Sequence, residues 1–359
     1  MGLIVLNALN NNSAGGASVA IGLLNALIKN KGSDNILLIK AKKSSLSHEK
    51  ELIIDDKLIN GLKGYFLYKY FLHKKLIALN IQIDFILNIS DIPIVTNYKQ
   101  FYLLDWPFFV LKDKILWSRM SLKEWLLRKI KSFIIKSQLK SVDGVLTQTQ
   151  YFATLMKTLH SVNVINVMPN APSYTKRKIE YKTKTKYKNF GILSRYYTHK
   201  NFEIILELGR ILKRKNNDII IYTTIEKNQG KGANNFINSL INENLTNIIN
   251  LGTINHSEIS DFYANIDGVI LPSLAESYSG NYVEAVMEEK VIITSNLNFA
   301  TEVCGNCAIY FNPFSAEELY NCLNMPIDCY NEKIKIANKE FDMSNTWDKN
   351  ISKFLKCIE

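Results

Sequence analysis

Short apolar segments alternate with segments of helical periodicity along nearly the whole sequence. In the first half, apolar runs typical of buried parallel strands cover 2–8, 35–40, 83–89, 101–105, 144–149 and 162–167. Helical patterns occupy about 17–30, 119–140 and 151–160. Strands that alternate with helices are typical of parallel α/β folds. The first half therefore predicts a doubly wound parallel sheet.

A second series of the same kind begins near residue 189. Its apolar runs cover 189–194, 218–224, 247–252, 268–273 and 291–295, and its helical patterns cover 201–215, 232–243, 256–265 and 281–290. A lysine-rich stretch with little to bury, Thr175–Lys188, separates the two series. We expect an N-terminal domain, a linker, a second domain and a closing helix that could return to the first domain, over 1–174, 175–188, 189–340 and 341–359.

Length and composition are those of a two-domain globular protein. The chain has 359 residues, 47% hydrophobic and 21% charged. No window approaches the ~18 uninterrupted apolar residues of a transmembrane helix, and the first residues resemble a strand rather than a signal peptide. Five cysteines, an odd number, indicate free thiols in a reducing compartment. Cys304 and Cys307 form a C-x-x-C pair without the further ligands of a zinc site, so we expect no metal.

The net charge of +11 is concentrated in part of the first half. Basic residues dominate Lys112–Lys140, where Trp117, Trp125 and Phe133 are interleaved with aliphatic residues at helical spacing. This pattern fits a solvated helix face, or a basic amphipathic helix that rests on an anionic bilayer. The aromatic and basic segment Tyr65–Lys75 has the same character and could belong to the same surface.

Ligands of parallel sheets bind where strands end and helices begin, so three loops are candidate sites. The first is "LNNNSAGGASVA", 9–20, after the first strand. Its glycines, Gly15 and Gly16, would let the backbone turn sharply and approach a ligand, or would simply form a turn. The loop lacks the G-x-G-x-x-G and Walker A patterns.

The second loop is "GILSRYYTHKNFE", 191–203. Arg195 and Lys200 precede a predicted helix, where two cations could bind a diphosphate and stabilise the charge that builds up as it leaves. They could equally be solvated charges. His199, between them, is better suited to loop hydrogen bonding than to acting as a base.

The third loop is "LPSLAESYSGNYVEAVMEEK", Leu271–Lys290, with Glu276 and Glu284 eight positions apart. If Asn281 is the N-cap of the following helix, Glu284 is the N3 residue of a pattern close to a capping box. Alternatively, the two carboxylates accept hydrogen bonds from the vicinal hydroxyls of a ribose and a sugar. The two interpretations are compatible.

Together these loops resemble the retaining glycosyltransferases of family 4, which have the GT-B fold. The resemblance lies in the E-x7-E pair Glu276 and Glu284, the preceding Pro-Ser, the later Glu302-Val303, and the stretch "SRYYTHKN" that is similar to the family's diphosphate-binding segment. It is specific over about 189–320 and looser before. It implies two doubly wound, Rossmann-like domains facing across a cleft.

The resemblance also implies roles for individual residues. Glu276 would hold hydroxyls of the donor sugar, Glu284 would hold the ribose, and Arg195 and Lys200 would stabilise the departing diphosphate without a metal ion. Arg195, Lys200 and Glu276 are thus the expected catalytic residues. The expected donor-binding set is Gly15, Gly16, Arg195, Lys200, Glu276, Ser279, Gly280, Asn281 and Glu284. The N-terminal domain would hold the acceptor.

The chain departs from the family pattern at several positions. Ser277 stands where the family usually has glycine, Glu289-Lys290 replaces a small residue before a strand, and Asp105 stands near the place of a histidine that follows an N-domain strand in many members. These differences affect the sugar-facing loop and any direct role of an N-domain base.

The sequence thus favours a retaining, metal-independent hexosyltransferase that needs no cofactor. It would move a sugar from a UDP- or GDP-linked donor to a saccharide acceptor, carried on a lipid, in the synthesis of O-antigen or capsule. Its partners would be the nucleotide-sugar, that acceptor and an anionic membrane surface, but not nucleic acid, and it would lie in the cytoplasm against the inner face of the plasma membrane. A GT-B epimerase or phosphorylase and a non-catalytic GT-B scaffold are the alternatives.

Overall fold

The computed structural model describes residues 2–11, 14–59, 61–162, 164–172 and 187–358. The chain divides into two compact units, of which the first is formed by Met1–Ser173 with Ser344–Glu359 and the second by Tyr174–Met343. All but the last two positions of the predicted linker, 175–188, lie outside the described residues. Across the described ranges, no helix is long and apolar enough to cross a membrane.

The first unit contains a parallel sheet. Its described strands are β1 (Leu3–Asn7), β2 (Ile36–Ala41), β3 (Glu51–Ile54), β4 (Ile83–Asn88), β5 (Gln100–Leu104), β6 (Gly144–Thr147) and β7 (Val164–Val167). They pair in the order β3-β2-β1-β4-β5-β6-β7. Strands β2 and β5 are buried along their length and β1 along all but its first residue, as expected for a parallel sheet that is covered on both faces.

The second unit contains a similar sheet. Its described strands are β8 (Asn189–Ile192), β9 (Ile220–Thr223), β10 (Ile248–Asn250), β11 (Gly268–Leu271), β12 (Val291–Ser295) and β13 (Ala308–Phe311). Their order is β10-β9-β8-β11-β12-β13, with parallel pairing throughout these strands.

Helices connect the strands in both units. The described helices of the first unit are α1 (Ala14–Lys31), α2 (Gly61–Phe66), α3 (Leu72–Ala78), α4 (Lys114–Ser118), α5 (Leu122–Gln138) and α6 (Gln150–His160), and a π-helical turn, Leu67–Phe71, joins α2 to α3. Those of the second unit are α7 (Phe202–Arg214), α8 (Lys231–Asn242), α9 (Ile259–Ala264), α10 (Gly280–Met287), α11 (Asn298–Cys304), α12 (Ala316–Leu323) and α13 (Ile327–Glu340), and the chain closes with α14 (Trp347–Ile358).

The closing helix α14 belongs to the first unit and completes its core. Its Trp347 lies over Gly22 of α1, where an added Cβ would meet the indole Nε1 at 2.2 Å. Further along α14, the ring of Phe354 makes edge contacts with Phe85 and Phe101, at centroid distances of 5.9 and 5.1 Å. Strands β4 and β5 are thus covered by the end of the chain.

In each sheet the strand order reverses once, and this point positions the sites. The reversal lies between β1 and β4 in the first unit and between β8 and β11 in the second. Connections leave neighbouring strands toward opposite faces there, which opens a crevice outside their carboxyl ends. We call these two places the first and the second switch point.

The prediction of doubly wound parallel sheets is confirmed, and several elements differ. The predicted helix 119–140 corresponds to α5, which begins only at Leu122 because Ser121 accepts a hydrogen bond from the Glu124 amide and caps the helix. No strand was predicted at β3, and no helix was predicted at α2, α3, α4, α11, α12 or α13. β3 is only four residues long and lies at the sheet edge.

Candidate functional site at the second switch point

Two loops that follow neighbouring strands are joined at the second switch point. Lys200, after β8, forms an ion pair with Glu276, after β11. The backbone continues the link, since the Leu274 amide donates to the carbonyl of His199 over 2.7 Å. The structure therefore brings together two of the three residues that were predicted to be catalytic.

The position of Lys200 is fixed by the residue that follows it. Asn201 has φ 56°, in the left-handed region that asparagine tolerates better than most residues. Its buried side chain donates to the carbonyl of Pro313 over 2.8 Å, which anchors the start of α7. The Lys200 amide in turn bonds to the Tyr197 carbonyl over 2.9 Å. Lys200 therefore stands on a short, tied turn.

Glu276 is held from two sides. Besides Lys200, the Ser273 hydroxyl donates to its Oε1 over 2.7 Å. The Lys200 and Glu276 side chains are 18% and 12% exposed, so the pair is shielded from bulk water but remains reachable. A charge pair in such surroundings interacts more strongly than one at a free surface. An incoming diphosphate would meet a cation that is already oriented.

Arg195 lies on the same loop, three residues after β8 ends. Its neighbours in the chain are both tied to the region after β9: the Ser194 amide donates to Thr224 Oγ1 over 3.1 Å, and the Tyr196 amide donates to Gln229 Oε1 over 2.7 Å. Arg195 itself is partly buried. The loop that carries the predicted diphosphate-binding cations is therefore braced along its length.

Glu284 lies inside α10 and not at its N3 position, so the capping-box interpretation is wrong. The N-cap is Ser279, without a side-chain capping bond, and Asn281 instead donates to the Leu193 carbonyl over 2.8 Å. Asn281 thus ties α10 to the end of β8. The predicted donor-binding residues Ser279, Gly280 and Asn281 form the N-terminal edge of α10, beside the second switch point.

The Glu284 carboxyl is buried and faces the start of its own helix. An added Cβ at Gly280 would lie 3.9 Å from Glu284 Oε1, and Tyr263 donates its hydroxyl to Oε2 over 2.9 Å. Burial raises the pKa of Glu284 to about 7, although the bond from Tyr263 acts in the opposite direction. One carboxyl oxygen is therefore held by the protein. Tyr263 was not predicted as a site residue, because only the folded arrangement of α9 beside α10 brings its hydroxyl to Glu284.

Gly15 and Gly16 lie in the first unit, within the first turn of α1 and not in a loop. Neither has a positive φ, so the expected sharp turn is wrong. They differ in their surroundings: an added Cβ at Gly15 would meet no described atom within 4 Å, whereas one at Gly16 would lie 3.3 Å from Asn11 Nδ2. Their predicted contact with the donor stays a prediction.

The C-x-x-C pair lies in the second unit, where α11 ends. Cys304 and Cys307 are free and buried, and burial raises the pKa of both thiols. Among the side chains that the structure describes, no three His, Cys, Asp or Glu residues are grouped as metal ligands.

A known protein family matches one of the two units of the chain. Residues 174–337, which lie within the second unit, match the family model described as "Glycosyl transferases group 1". A search among curated proteins finds no match to the sequence.

Solved structures resemble the chain over its full length. Sucrose-phosphate synthase from Thermosynechococcus elongatus has a TM-score of 0.73 at 12% identity, over 100% of this chain and 98% of that one. Anabaena HepE, in complex with UDP and glucose, has a TM-score of 0.69 at 14% identity, over 99% and 100%. The lipopolysaccharide outer core galactosyltransferase WaaB has a TM-score of 0.64 at 11% identity, over 100% of both chains. The predicted GT-B fold is confirmed.

Proposed function

We propose that the protein is a glycosyltransferase that moves a sugar from a UDP- or GDP-linked donor to a saccharide acceptor, with retention of the anomeric configuration. The observation that carries the proposal is the Lys200–Glu276 pair, a shielded cation and carboxylate at the second switch point, within the residues that match the group 1 family model. The family match supports sugar transfer, and the E-x7-E resemblance supports retention.

The pair suits the chemistry of a nucleotide-sugar. Lys200 and Arg195 bind the diphosphate, and Glu276 accepts hydrogen bonds from hydroxyls of the sugar. In the reaction an acceptor oxygen forms a bond to the anomeric carbon while the bond from that carbon to the diphosphate breaks. The acceptor proton passes to the departing diphosphate. The two cations stabilise the negative charge that develops there, so the reaction needs neither a metal ion nor a cofactor.

Glu284 would serve the nucleoside part of the donor. The Tyr263 hydroxyl donates a hydrogen bond to Oε2 of Glu284, whereas Oε1 of Glu284 faces the N-terminal turn of α10. A ribose hydroxyl at that turn can donate to Oε1, and a phosphate oxygen can approach the N-terminal edge of the same helix.

We further propose that the protein lies in the cytoplasm, peripherally bound to the inner face of the plasma membrane, and acts on lipid-linked saccharides in O-antigen or capsule synthesis. Support comes from α5, which turns apolar side chains outward: Leu122 is 80% and Phe133 is 73% exposed. Leu126 and Ile130 extend the same stripe at helical spacing.

Positive charge beside this apolar stripe favours an anionic bilayer as the surface that the stripe contacts. Lys129 and Lys136, seven residues apart on one side of α5, are both exposed. Exposed apolar side chains flanked by lysines are typical of helices that lie in the headgroup region of anionic membranes. Lys131, by contrast, points to the opposite side and pairs with Asp91.

The experiment that tests the proposed transfer is nucleotide binding. Thermal midpoints are measured with UDP, GDP, CMP and ADP added separately, for the parent, Glu284→Gln and the exposed control Glu289→Gln. A ligand at 100 times its Kd adds about 2.7 kcal/mol of stability. We expect a shift with UDP or GDP that Glu284→Gln weakens and Glu289→Gln retains. A parent that responds to none of the four nucleotides would contradict the proposal.

A further inference from the structure

A second group of polar side chains lies in the first unit, at the first switch point. We call it the switch-point cluster, and it consists of Asn10, Tyr68, Ser90, Asp91, Asp105 and Lys131. Asn10 follows β1, Ser90 and Asp91 follow β4, and Asp105 follows β5. The buried Asn7 and Asn88 tie β1 to β4 just beneath, through a 3.0 Å side-chain bond. The cluster therefore occupies the crevice in which an open parallel sheet binds its ligand.

Asp91 is the charged centre of the cluster and is reachable from solvent. Its Oδ1 lies 3.0 Å from Lys131 Nζ, and its Oδ2 accepts a bond from Asn10 Nδ2 over 2.8 Å. Burial acts to raise the pKa of Asp91, but Lys131 and Asn10 outweigh it, and the pKa lies below its usual range. The side chain is 47% exposed. An ionised carboxylate of fixed orientation is thus open to a ligand.

Asp105 lies beside this pair, and its pKa is raised whereas that of Asp91 is lowered. It is partly buried immediately after β5, and burial, followed by the charge of Asp91, raises the pKa of Asp105 to about 7. Near neutral pH its carboxyl can therefore either donate or accept a hydrogen bond. The cluster offers both kinds of partner that sugar hydroxyls need.

Trp106 adds an apolar surface next to the carboxyl groups. It follows Asp105 directly, is partly buried, and has Lys131 Nζ 4.5 Å from its ring centroid. Carboxylates beside an indole ring match the two faces of a saccharide, because hydroxyls bond to the oxygens while the C–H face packs against the ring. A purely ionic ligand would gain nothing from the ring.

Two helical segments contribute polar residues to the cluster and expose apolar side chains on their outer surface. In the π-helical turn, Tyr68 is buried and bonds to Ser90, whereas Tyr70 and Phe71 are 47% and 54% exposed. In α5, Lys131 reaches Asp91, whereas Phe133 is exposed. π-helical turns often mark functional sites, because the extra residue re-aims the side chains around it.

We propose that the switch-point cluster binds the sugar headgroup of an amphiphilic acceptor, with Asp91 and Asp105 holding hydroxyl groups and Trp106 packing against the sugar ring. The apolar part of the acceptor contacts the exposed side chains of the π-helical turn and α5. This assignment rests on the proposed function and specifies its acceptor site. A ligand with a polar head and an apolar tail uses both surfaces, whereas a free sugar uses only the cluster.

Octyl glycosides of glucose, galactose, mannose and N-acetylglucosamine serve as probes, below their micellar concentrations. Their binding to the full chain is measured by saturation-transfer NMR and calorimetry, with methyl glycosides as controls for the tail. The variants are Asp91→Asn, Asp105→Asn and Trp106→Leu. Asp34→Asn, which changes an exposed aspartate elsewhere in the first unit, is the matched control.

We expect at least one octyl glycoside to bind the parent and Asp34→Asn equally, at least tenfold more weakly to Asp91→Asn and Asp105→Asn, and more tightly than its methyl counterpart. Equal binding to the parent and all cluster variants would mean that the tail alone binds, and would overturn the assignment, as would a parent that binds none of the probes. Asp105→Asn keeps the shape of the side chain, so the test stands even if Asp91→Asn, which leaves Lys131 unpaired, does not fold.

Nucleotide binding is measured on the same samples, to separate this inference from the proposed function. A cluster variant that loses the glycoside but keeps the thermal response to UDP or GDP supports the assignment. A parent that binds a glycoside through the cluster but no nucleotide contradicts the proposed transfer reaction and leaves a saccharide site.

Discussion

Lys200 and Glu276 form an ion pair that joins the loops after β8 and β11, two strands that neighbour each other only because the sheet reverses its order between them. Seventy-six positions separate the two residues in the sequence. The pair thus links the two loops that a bound diphosphate and a bound sugar would share.

Breaking this pair on one side should cost stability as well as activity. Lys200→Met leaves the Glu276 carboxylate poorly solvated with only Ser273 as a described partner, and we expect a loss of roughly 1–3 kcal/mol in the free energy of unfolding. Turnover should fall about 10²–10³-fold, because the cation proposed to bind the diphosphate is lost. Urea titration and a donor-consumption assay measure the two effects.

A double-mutant cycle separates pairing from the individual contributions. Since Glu276→Gln and Lys200→Met each remove one charge, the double variant should be more stable than the sum of the single losses allows. Strict additivity would mean that the pair contributes nothing to the fold in solution.

Ionisation of Glu284 should make stability depend on pH. Its folded-state pKa is about 7 against an ordinary value of 4.5, so the folded protein binds more protons than the unfolded chain between these values. The free energy of unfolding should therefore decrease as pH rises from about 4.5 to 7, with the full penalty present above 7. Urea unfolding at pH 5, 6, 7 and 8 measures this slope.

Glu284→Gln should remove that slope while it weakens nucleotide binding. A neutral amide carries no ionisation penalty, so the variant gains stability relative to the parent as pH approaches 8. Glu289 is an exposed residue just after α10 ends, so Glu289→Gln should follow the parent curve. Parallel curves for the parent and Glu284→Gln would rule out the buried carboxyl as the source.

Binding to membranes should depend on the exposed lysines of α5. Lys129→Gln with Lys136→Gln should weaken binding to vesicles of 70% phosphatidylcholine and 30% phosphatidylglycerol by roughly 30-fold, at about 1 kcal/mol for each lysine. Cosedimentation measures the partition.

Lys42→Gln with Lys43→Gln is the matched control, since it removes the same charge from an exposed loop of the same unit. We expect it to bind like the parent, and Leu126→Glu to bind poorly even to vesicles that contain more anionic lipid. If both lysine pairs weaken binding equally, net charge and not α5 attracts the protein.

Two glycines in α1 should respond oppositely to alanine. Gly22→Ala pushes a Cβ into the indole of Trp347, and we expect a loss of roughly 1–3 kcal/mol in the free energy of unfolding. Gly15→Ala has open space around it and a helical backbone, so it should gain up to about 1 kcal/mol. Thermal or urea unfolding of both variants measures the two changes in stability. Equal effects would show that α14 is not held against α1 in solution.

The sequence predicted those parts of the fold and site that depend on local pattern. Central strands such as β1 and β11 consist largely of apolar residues. Lys200 follows β8 and Glu276 follows β11, so their meeting at one edge of the sheet was foreseeable. The sequence could not distinguish Lys131 from the other basic residues of its segment, because its ion pair with Asp91 depends on how α5 packs. Glu284 was misplaced by two helical positions for a similar reason: Asn281 bonds to Leu193 and does not cap α10.

The packing of Trp347 over Gly22 has a consequence for the order in which the protein acquires its structure. The second unit is continuous in sequence, whereas the core of the first includes Ile351 and Phe354 near the end of the chain. As the ribosome adds residues in order, the second unit has its whole sequence available before the first can bury β4 and β5. Synthesis of the described chain thus begins with the first unit, but the second unit is the first to be completed.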